Sequence, residues 1–168
     1  MSDSAWTTCA LGLGSNLGDR GARIRSAVAA IAREIGPVAA VSRLYETAPW
    51  GQTAVPTFPY VNAALICRTR LSPKPLLDAL QAIERAAGRV RSVANAPRSL
   101  DIDLLFYGSA TLDTPELTLP HPRLHLRRFV LAPLAEVAPD WRHPGLHASV
   151  AELLRDCGDD LAVVPLTP

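Results

Sequence analysis

Hydrophobic and polar positions along the chain change period several times, and each change marks an element. Residues 9–14 read as a first strand, in which Gly12 and Gly14 imply close backbone approach or a bulge. After Asp19 the period lengthens, and Ile24, Ala27, Val28, Ile31 and Ile35 form a helical stripe that Gly36 and Pro37 terminate. Val38 to Tyr45 returns as a strand, and Tyr60 to Cys67 is another, with Tyr60, Asn62, Ala64 and Ile66 on one face. A second helix opens at Ser72 and Pro73 and closes at Gly88; its buried stripe is Leu76, Leu80, Ile83 and Ala87, with Gln81, Glu84 and Arg85 off that stripe. Residues 98–108 form a strand whose alternation puts Leu100, Ile102, Leu104 and Phe106 on a core face and Asp101, Asp103 and Leu105 on the other. Further on, Thr111 to Leu119 predicts an edge strand or hairpin. Val130 to Val137 predicts a buried helical segment despite Pro133, and Val150 to Leu154 a last short helix; the tail after Gly158 carries no pattern.

Strand, helix, strand, strand, helix, strand is the split βαβ order of an α+β, ferredoxin-like α/β sandwich with an antiparallel-rich sheet, here with C-terminal additions. At 168 residues the expectation is one domain, 1–168. Such a fold carries no function by itself. Between Thr47 and Pro59 three prolines and two large aromatics, Trp50 and Phe58, exclude a regular element. A loop of this length either covers a ligand or tucks its rings onto the core.

Composition narrows the function classes. The chain is 48% hydrophobic and 20% charged with a formal net charge of +1, which gives no support for nucleic-acid or anionic-membrane binding through bulk charge. The first residues lack a basic segment followed by an apolar run, and no apolar stretch of membrane-spanning length occurs, so a soluble cytoplasmic protein is expected. Cys9, Cys67 and Cys157 are odd in number and widely spaced, which suggests buried thiols rather than a disulfide framework or a cysteine zinc site. Lys74 is the sole lysine among 17 basic residues, so in this arginine-rich chain position decides what any one arginine means.

The chemistry gathers on residues 89–103. Asp101 and Asp103 are separated by roughly 6.6 Å along a strand, and two close carboxylates need a proton or a cation between them. Hard oxygen donors of this kind suit Mg²⁺ held together with substrate phosphates; an Asp-x-Asp is also what a solvated strand face looks like. Arg89, Arg91 and Arg98 precede the pair across a short loop, and cations beside metal-holding carboxylates are what phosphoryl transfer needs. The Gly12-x-Gly14 segment lacks the third glycine of a dinucleotide loop and the Gly-Lys-Ser/Thr of a nucleotide loop. Residues 121–125 and 143–147 both read His-Pro-x-Leu-His, a superficially zinc-like spacing. Neither carries the Glu of a zinc-protease helix, and prolines and Gly145 interrupt both, so zinc is not expected.

Six segments in order carry a resemblance: Gly14 to Asp19, Tyr45 to Gly51, Tyr60 to Asn62, Gly88 to Arg91, Pro97 to Leu105 and Leu119 to Arg123. From residue 9 to about 140 the chain resembles the 6-hydroxymethyl-7,8-dihydropterin pyrophosphokinases of folate biosynthesis, in which the pterin hydroxymethyl oxygen attacks the β-phosphorus of ATP and AMP leaves. The resemblance implies that Asp101 and Asp103 hold two Mg²⁺ ions on the triphosphate and that Arg89 and Arg98 act on the phosphates. It further implies that Gln81, Glu84, Arg91, Ile102, His121 and Arg127 belong to the ATP site. The pterin would lie between Tyr60 and Phe129, with Asn62, Thr47, Ala48 and the backbone to Trp50 reading its edge. ATP and the pterin are the implied partners, of a monomer with no obligate protein partner. The chain departs from the family pattern at Asn95 to Arg98, one residue shorter and without an Arg-Trp pair, at Ser92, and at Glu116. The alternative reading is a ferredoxin-like module that binds nucleotide or pterin without turnover; retention of both aspartates argues against it.

Overall fold

The structure, a computed structural model, describes residues 5–48, 58–88 and 99–167. Its sheet is built around β1 (Thr7–Ser15), which pairs antiparallel with β4 (Tyr60–Thr69) along its whole length and with β5 (Asp101–Tyr107) on its other side. Beyond β4 come β2 (Val38–Val41) and β3 (Tyr45–Thr47), and β8 (Val163–Pro165) closes the far edge, giving the order β5-β1-β4-β3-β8 with β2 also on β4. All of these pairings are antiparallel. This is the antiparallel-rich α+β arrangement that the element order predicts.

One face is covered by α1 (Arg20–Glu34) and α2 (Pro73–Ala86), whose Ile24, Ala27, Ile31, Leu76, Leu80 and Ile83 pack on Leu11, Leu13, Leu65, Ile102 and Leu104. The opposite face is covered by α3 (Arg128–Val137) and α4 (Val150–Arg155), through Val130, Leu131, Leu134 and Val150 against Ala10, Ala64, Ile66, Leu105 and Phe106. Because both faces of β4 are buried, its sequence reads as a nearly continuous apolar run. Asp19 starts α1 by accepting the N–H of Ala22 at 2.9 Å, and α4 starts with a reciprocal Ser149–Glu152 capping box. After α1 the chain turns at Gly36, where an added Cβ would lie 2.2 Å from the Arg68 carbonyl oxygen, so a side chain there has no room. Burial pushes the thiols of Cys9 and Cys67, facing partners across β1 and β4, up to about 12 and about 11, as expected of buried thiols, whereas Cys157 is only half-buried at the margin of the second core. No helix among the described residues is long and apolar enough to cross a membrane.

Four expectations need correction. The Val38–Tyr45 strand is two strands: from Val41 to Tyr45 the chain takes four steps while its partner β4, from Leu65 to Asn62, takes three. Ser42 absorbs the extra residue, its N–H donating to the Ala64 carbonyl and its hydroxyl accepting the Ala64 N–H, each at 2.9 Å. Phe106 does not share the face of Leu100, Ile102 and Leu104. The β1–β5 register slips between Ala10↔Phe106 and Leu11↔Leu104, Leu105 is the extra residue, and Phe106 turns into the second core, stacked at 5.3 Å on Trp141. Glu84 is not off the buried side of α2; it is 3% exposed. Lastly, the unpatterned tail supplies β8, whose backbone bonds to β3 demand no side-chain alternation. The 111–119 hairpin forms as β6 (Leu112–Asp113) and β7 (Thr118–Leu119).

Candidate active site

On the α3 face the apolar cluster gives way, toward the C-terminal end of β1, to rows that are polar or lack side chains. Gly14 of β1 is in register with Asp101 on β5 and with Asn62 on β4, and Asn62 is in register with Tyr45 on β3. One row further in, Gly12 separates Asp103 from Ala64. Neighbouring strands lie about 4.8 Å apart, so roughly 10 Å separates the backbones of Asp101 and Asn62, with no side chain between them. The gap at Gly14 is narrow, since a Cβ there would lie 3.0 Å from the Asn62 Oδ1.

The β4 side of the row is ordered by one hydrogen bond. Asn62 Nδ2 donates to Thr47 Oγ1 at 2.8 Å, with both residues buried, which turns the amide oxygen toward Gly14. Tyr60 shares this face two residues before Asn62 and pairs with Thr47. Ala48 follows Thr47 and is exposed, while Phe129 lies in the first turn of α3 and packs against the second core. Tyr45 anchors β3 to α3: its hydroxyl donates to a Glu136 carboxylate oxygen, and Arg43 donates to the same carboxylate through its backbone N–H at 3.1 Å and Nε at 3.3 Å. Burial, then the Glu136 carboxylate, raises the Tyr45 pKa.

The β5 side collects the charges. His121 follows β7, and its N–H donates to the Leu105 carbonyl at 3.0 Å, on the outer edge of β5. Burial depresses the His121 pKa to about 4; the charges of Arg127 and Arg123 push the same way, and Asp101 opposes them. The Nδ1 of His121 accepts the Arg123 N–H at 3.1 Å, so the neutral ring carries its proton on Nε2 and presents a donor there. Arg127 also extends its guanidinium to 5.7 Å from the Phe129 ring centre, which links the charged side to the aromatic one. On the other flank of β5, Glu84 of α2 accepts the Ile102 N–H at 2.7 Å, and Gln81 stands one turn earlier on the same helix. Ser15 at the end of β1 donates to the Ser99 carbonyl at 2.6 Å and fixes the entry of β5.

The structure thus brings Asp101, Asp103, Ile102, His121 and Glu84 together on and beside β5, sets Arg127 over Phe129 at the start of α3 and Gln81 one turn before Glu84 on α2, and gathers Thr47, Tyr60 and Asn62 on β3 and β4. Trp50, Arg89, Arg91 and Arg98 lie outside the described residues, as do Ser92 and Asn95. The two His-Pro-x-Leu-His segments are turns: in each, the first histidine uses Nδ1 to accept a backbone N–H two residues on, Arg123 for His121 and Gly145 for His143. Among the described residues no group of three or more His, Cys, Asp or Glu side chains is arranged to hold a metal. Two aspartates opposite side-chain-free glycines fit Mg²⁺, which takes few protein carboxylates and completes its shell with phosphate and water oxygens. Reading by sequence missed the hydrogen bonds of Arg20 to Glu46 and Pro59 and of Glu136 to Arg43 and Tyr45, which span 26 to 93 positions and leave no local signal.

A family model described as 7,8-dihydro-6-hydroxymethylpterin-pyrophosphokinase matches residues 10–139. A 2-amino-4-hydroxy-6-hydroxymethyldihydropteridine pyrophosphokinase of Synechocystis is 40% identical over 159 residues, 94% of this chain and 80% of that protein. The protein of the same description from Pseudomonas aeruginosa is 46% identical over 147 residues, 86% of this chain and 88% of its own length. Among solved structures, the wild-type Plasmodium falciparum HPPK-DHPS with pterin and p-hydroxybenzoate superposes with a TM-score of 0.72 at 14% identity, over 92% of this chain. This chain spans 44% of that longer one, and the likeness speaks to the fold alone.

Proposed function

This chain belongs to the 7,8-dihydro-6-hydroxymethylpterin-pyrophosphokinase family, and from that premise we propose how its residues carry out the reaction. The enzyme transfers the pyrophosphoryl group of ATP to the hydroxymethyl group of 6-hydroxymethyl-7,8-dihydropterin, in folate biosynthesis. The hydroxymethyl oxygen attacks the β-phosphorus, loses its proton, and displaces AMP as the bond between the α,β-bridging oxygen and the β-phosphorus breaks. No side chain is needed as a covalent relay.

The observation that carries this reading is the row Asp101, Gly14, Asn62 across β5, β1 and β4. It sets a carboxylate suited to a metal-bound phosphate and an amide suited to a heterocycle edge on either side of a residue without a side chain. On the pterin side, Asn62 and Thr47 read donors and acceptors along the ring edge with Ala48 beside them, and Tyr60 and Phe129 take the flat faces. On the nucleotide side, His121 donates from Nε2 and Arg127 offers a charged fork toward phosphate. Gln81, Glu84 and the backbone of Ile102 line the flank. Arg89, Arg91 and Arg98 keep the phosphate-contact role implied by the resemblance, and Trp50 its place beside the pterin. Asp101 and Asp103 would hold two Mg²⁺ ions, which when bound neutralise triphosphate charge and align the β-phosphorus. The protein acts as a single domain and a monomer.

The test is a turnover assay with ATP, Mg²⁺ and 6-hydroxymethyl-7,8-dihydropterin. AMP and the pterin diphosphate in equal amounts are expected. ADP as the main product would sink the mechanism, and binding of both substrates without AMP would return the chain to the class of non-catalytic modules.

A further inference from the structure

Arg20 is the first residue of α1, in the turn that Asp19 caps, and its guanidinium crosses to the sheet at two places. Nη1 donates to the Pro59 carbonyl at 2.6 Å, and Nη2 meets Glu46 Oε2 at 3.0 Å. Glu46 immediately precedes Thr47, and Pro59 immediately precedes Tyr60. Thr47 and Tyr60 are the terminal pair of the β3–β4 ladder.

A terminal pair is where a ladder frays. Pro59 has no N–H, so it can offer no donor to extend the pairing past Tyr60. One planar fork with two donors of fixed spacing, anchored on a third element, substitutes for that missing rung. The Arg20 side chain is 27% exposed and that of Glu46 is 40% exposed, so the ion pair by itself contributes little to overall stability. What the fork does is local. It fixes the spacing of Thr47 and Tyr60, and through the Thr47–Asn62 hydrogen bond it bears on the amide as well.

We propose that Arg20 is a positioning residue for pterin binding, acting through Glu46 and the Pro59 carbonyl on Thr47 and Tyr60. The inference rests on the assignment of Thr47, Asn62 and Tyr60 to the pterin. A lysine at this position keeps the charge but, as a single ammonium, cannot reproduce the two-donor fork.

Steady-state kinetics of Arg20→Ala, Arg20→Lys and Glu46→Gln, with direct ATP binding and urea unfolding on the same proteins, test it. Losing one or two such hydrogen bonds should raise the pterin KM about tenfold in Arg20→Ala and Arg20→Lys. A smaller rise is expected in Glu46→Gln, where the Pro59 bond remains. ATP affinity and the unfolding midpoint should stay close to wild type. An unchanged pterin KM in Arg20→Lys overturns the proposal, as does a parallel loss of ATP affinity and stability, which marks a merely structural role. Should Arg20→Ala not fold, Arg20→Lys and Glu46→Gln decide the matter. A wild-type protein that fails to bind pterin sinks the functional reading itself, whereas normal wild-type turnover with unaffected Arg20 variants sinks this inference alone.

Discussion

Glu84 of α2 accepts the Ile102 N–H at 2.7 Å, so a carboxylate that is 3% exposed is set against the peptide joining Asp101 to Ile102. β5 is the outer strand of its sheet on this side, and its outer edge would otherwise leave that N–H without a strand partner. Helix α2 and the metal-type aspartates are therefore tied together through the backbone between them.

Glu84→Ala should be destabilised by about 1–3 kcal/mol, the cost of a buried donor left unmet. Glu84→Gln retains an acceptor of the same reach and should lose less. Urea unfolding of the three proteins measures this, and an alanine variant as stable as wild type would remove Glu84 from the support of β5.

Asp101→Asn and Asp103→Asn should each lower kcat about a thousandfold, equivalent to roughly 4 kcal/mol of transition-state stabilisation. Neither aspartate belongs to an apolar cluster, so unfolding should stay cooperative with a nearly unchanged midpoint. Titration of Mg²⁺ in the presence of a non-hydrolysable ATP analogue should show weaker binding in both. Turnover close to wild type in either variant would refute the metal assignment.

Gly14→Ala puts a methyl 3.0 Å from Asn62 Oδ1, so the amide must give by a few tenths of an ångström, which strains its bond to Thr47. The pterin KM should rise severalfold while the ATP KM holds. Gly158→Ala, whose added Cβ meets nothing within 4 Å, serves as control. Equal behaviour of the two variants would show that close approach at Gly14 has no bearing on the pterin.

Burial holds the His121 pKa at about 4 in the folded protein, while the unfolded chain titrates near 6.5. Between these values the unfolded state binds the extra proton. The stability this residue contributes is therefore complete above about pH 6.5 and lost as pH falls toward about 4. Unfolding free energies of wild type and His121→Gln should consequently converge, or cross in favour of the variant, on going from about pH 7 to about pH 4.5. A difference that stays constant over this range would mean that His121 is not held neutral by its surroundings.

Local pattern was enough for the order of the core strands and helices, the apolar stripes of the helices and the identity of the acidic strand. Periods of 3.6 and 2 are local properties, and residues such as Asp19, Gly36 and Pro73 punctuate them locally. The opposite chemistry of the two faces of β5 was legible as far as Leu105. Its failure at Phe106, the break at Ser42 and the strand in the tail come from sheet register, which depends on a partner far along the chain. Tertiary structure alone decided that Gly14 separates Asp101 from Asn62, that Glu84 turns inward to Ile102, and that Arg20 spans Glu46 and Pro59. A hydrogen bond between residues 18 or 39 positions apart leaves no periodic trace, because it is selected by the space between packed elements and not by spacing along the chain.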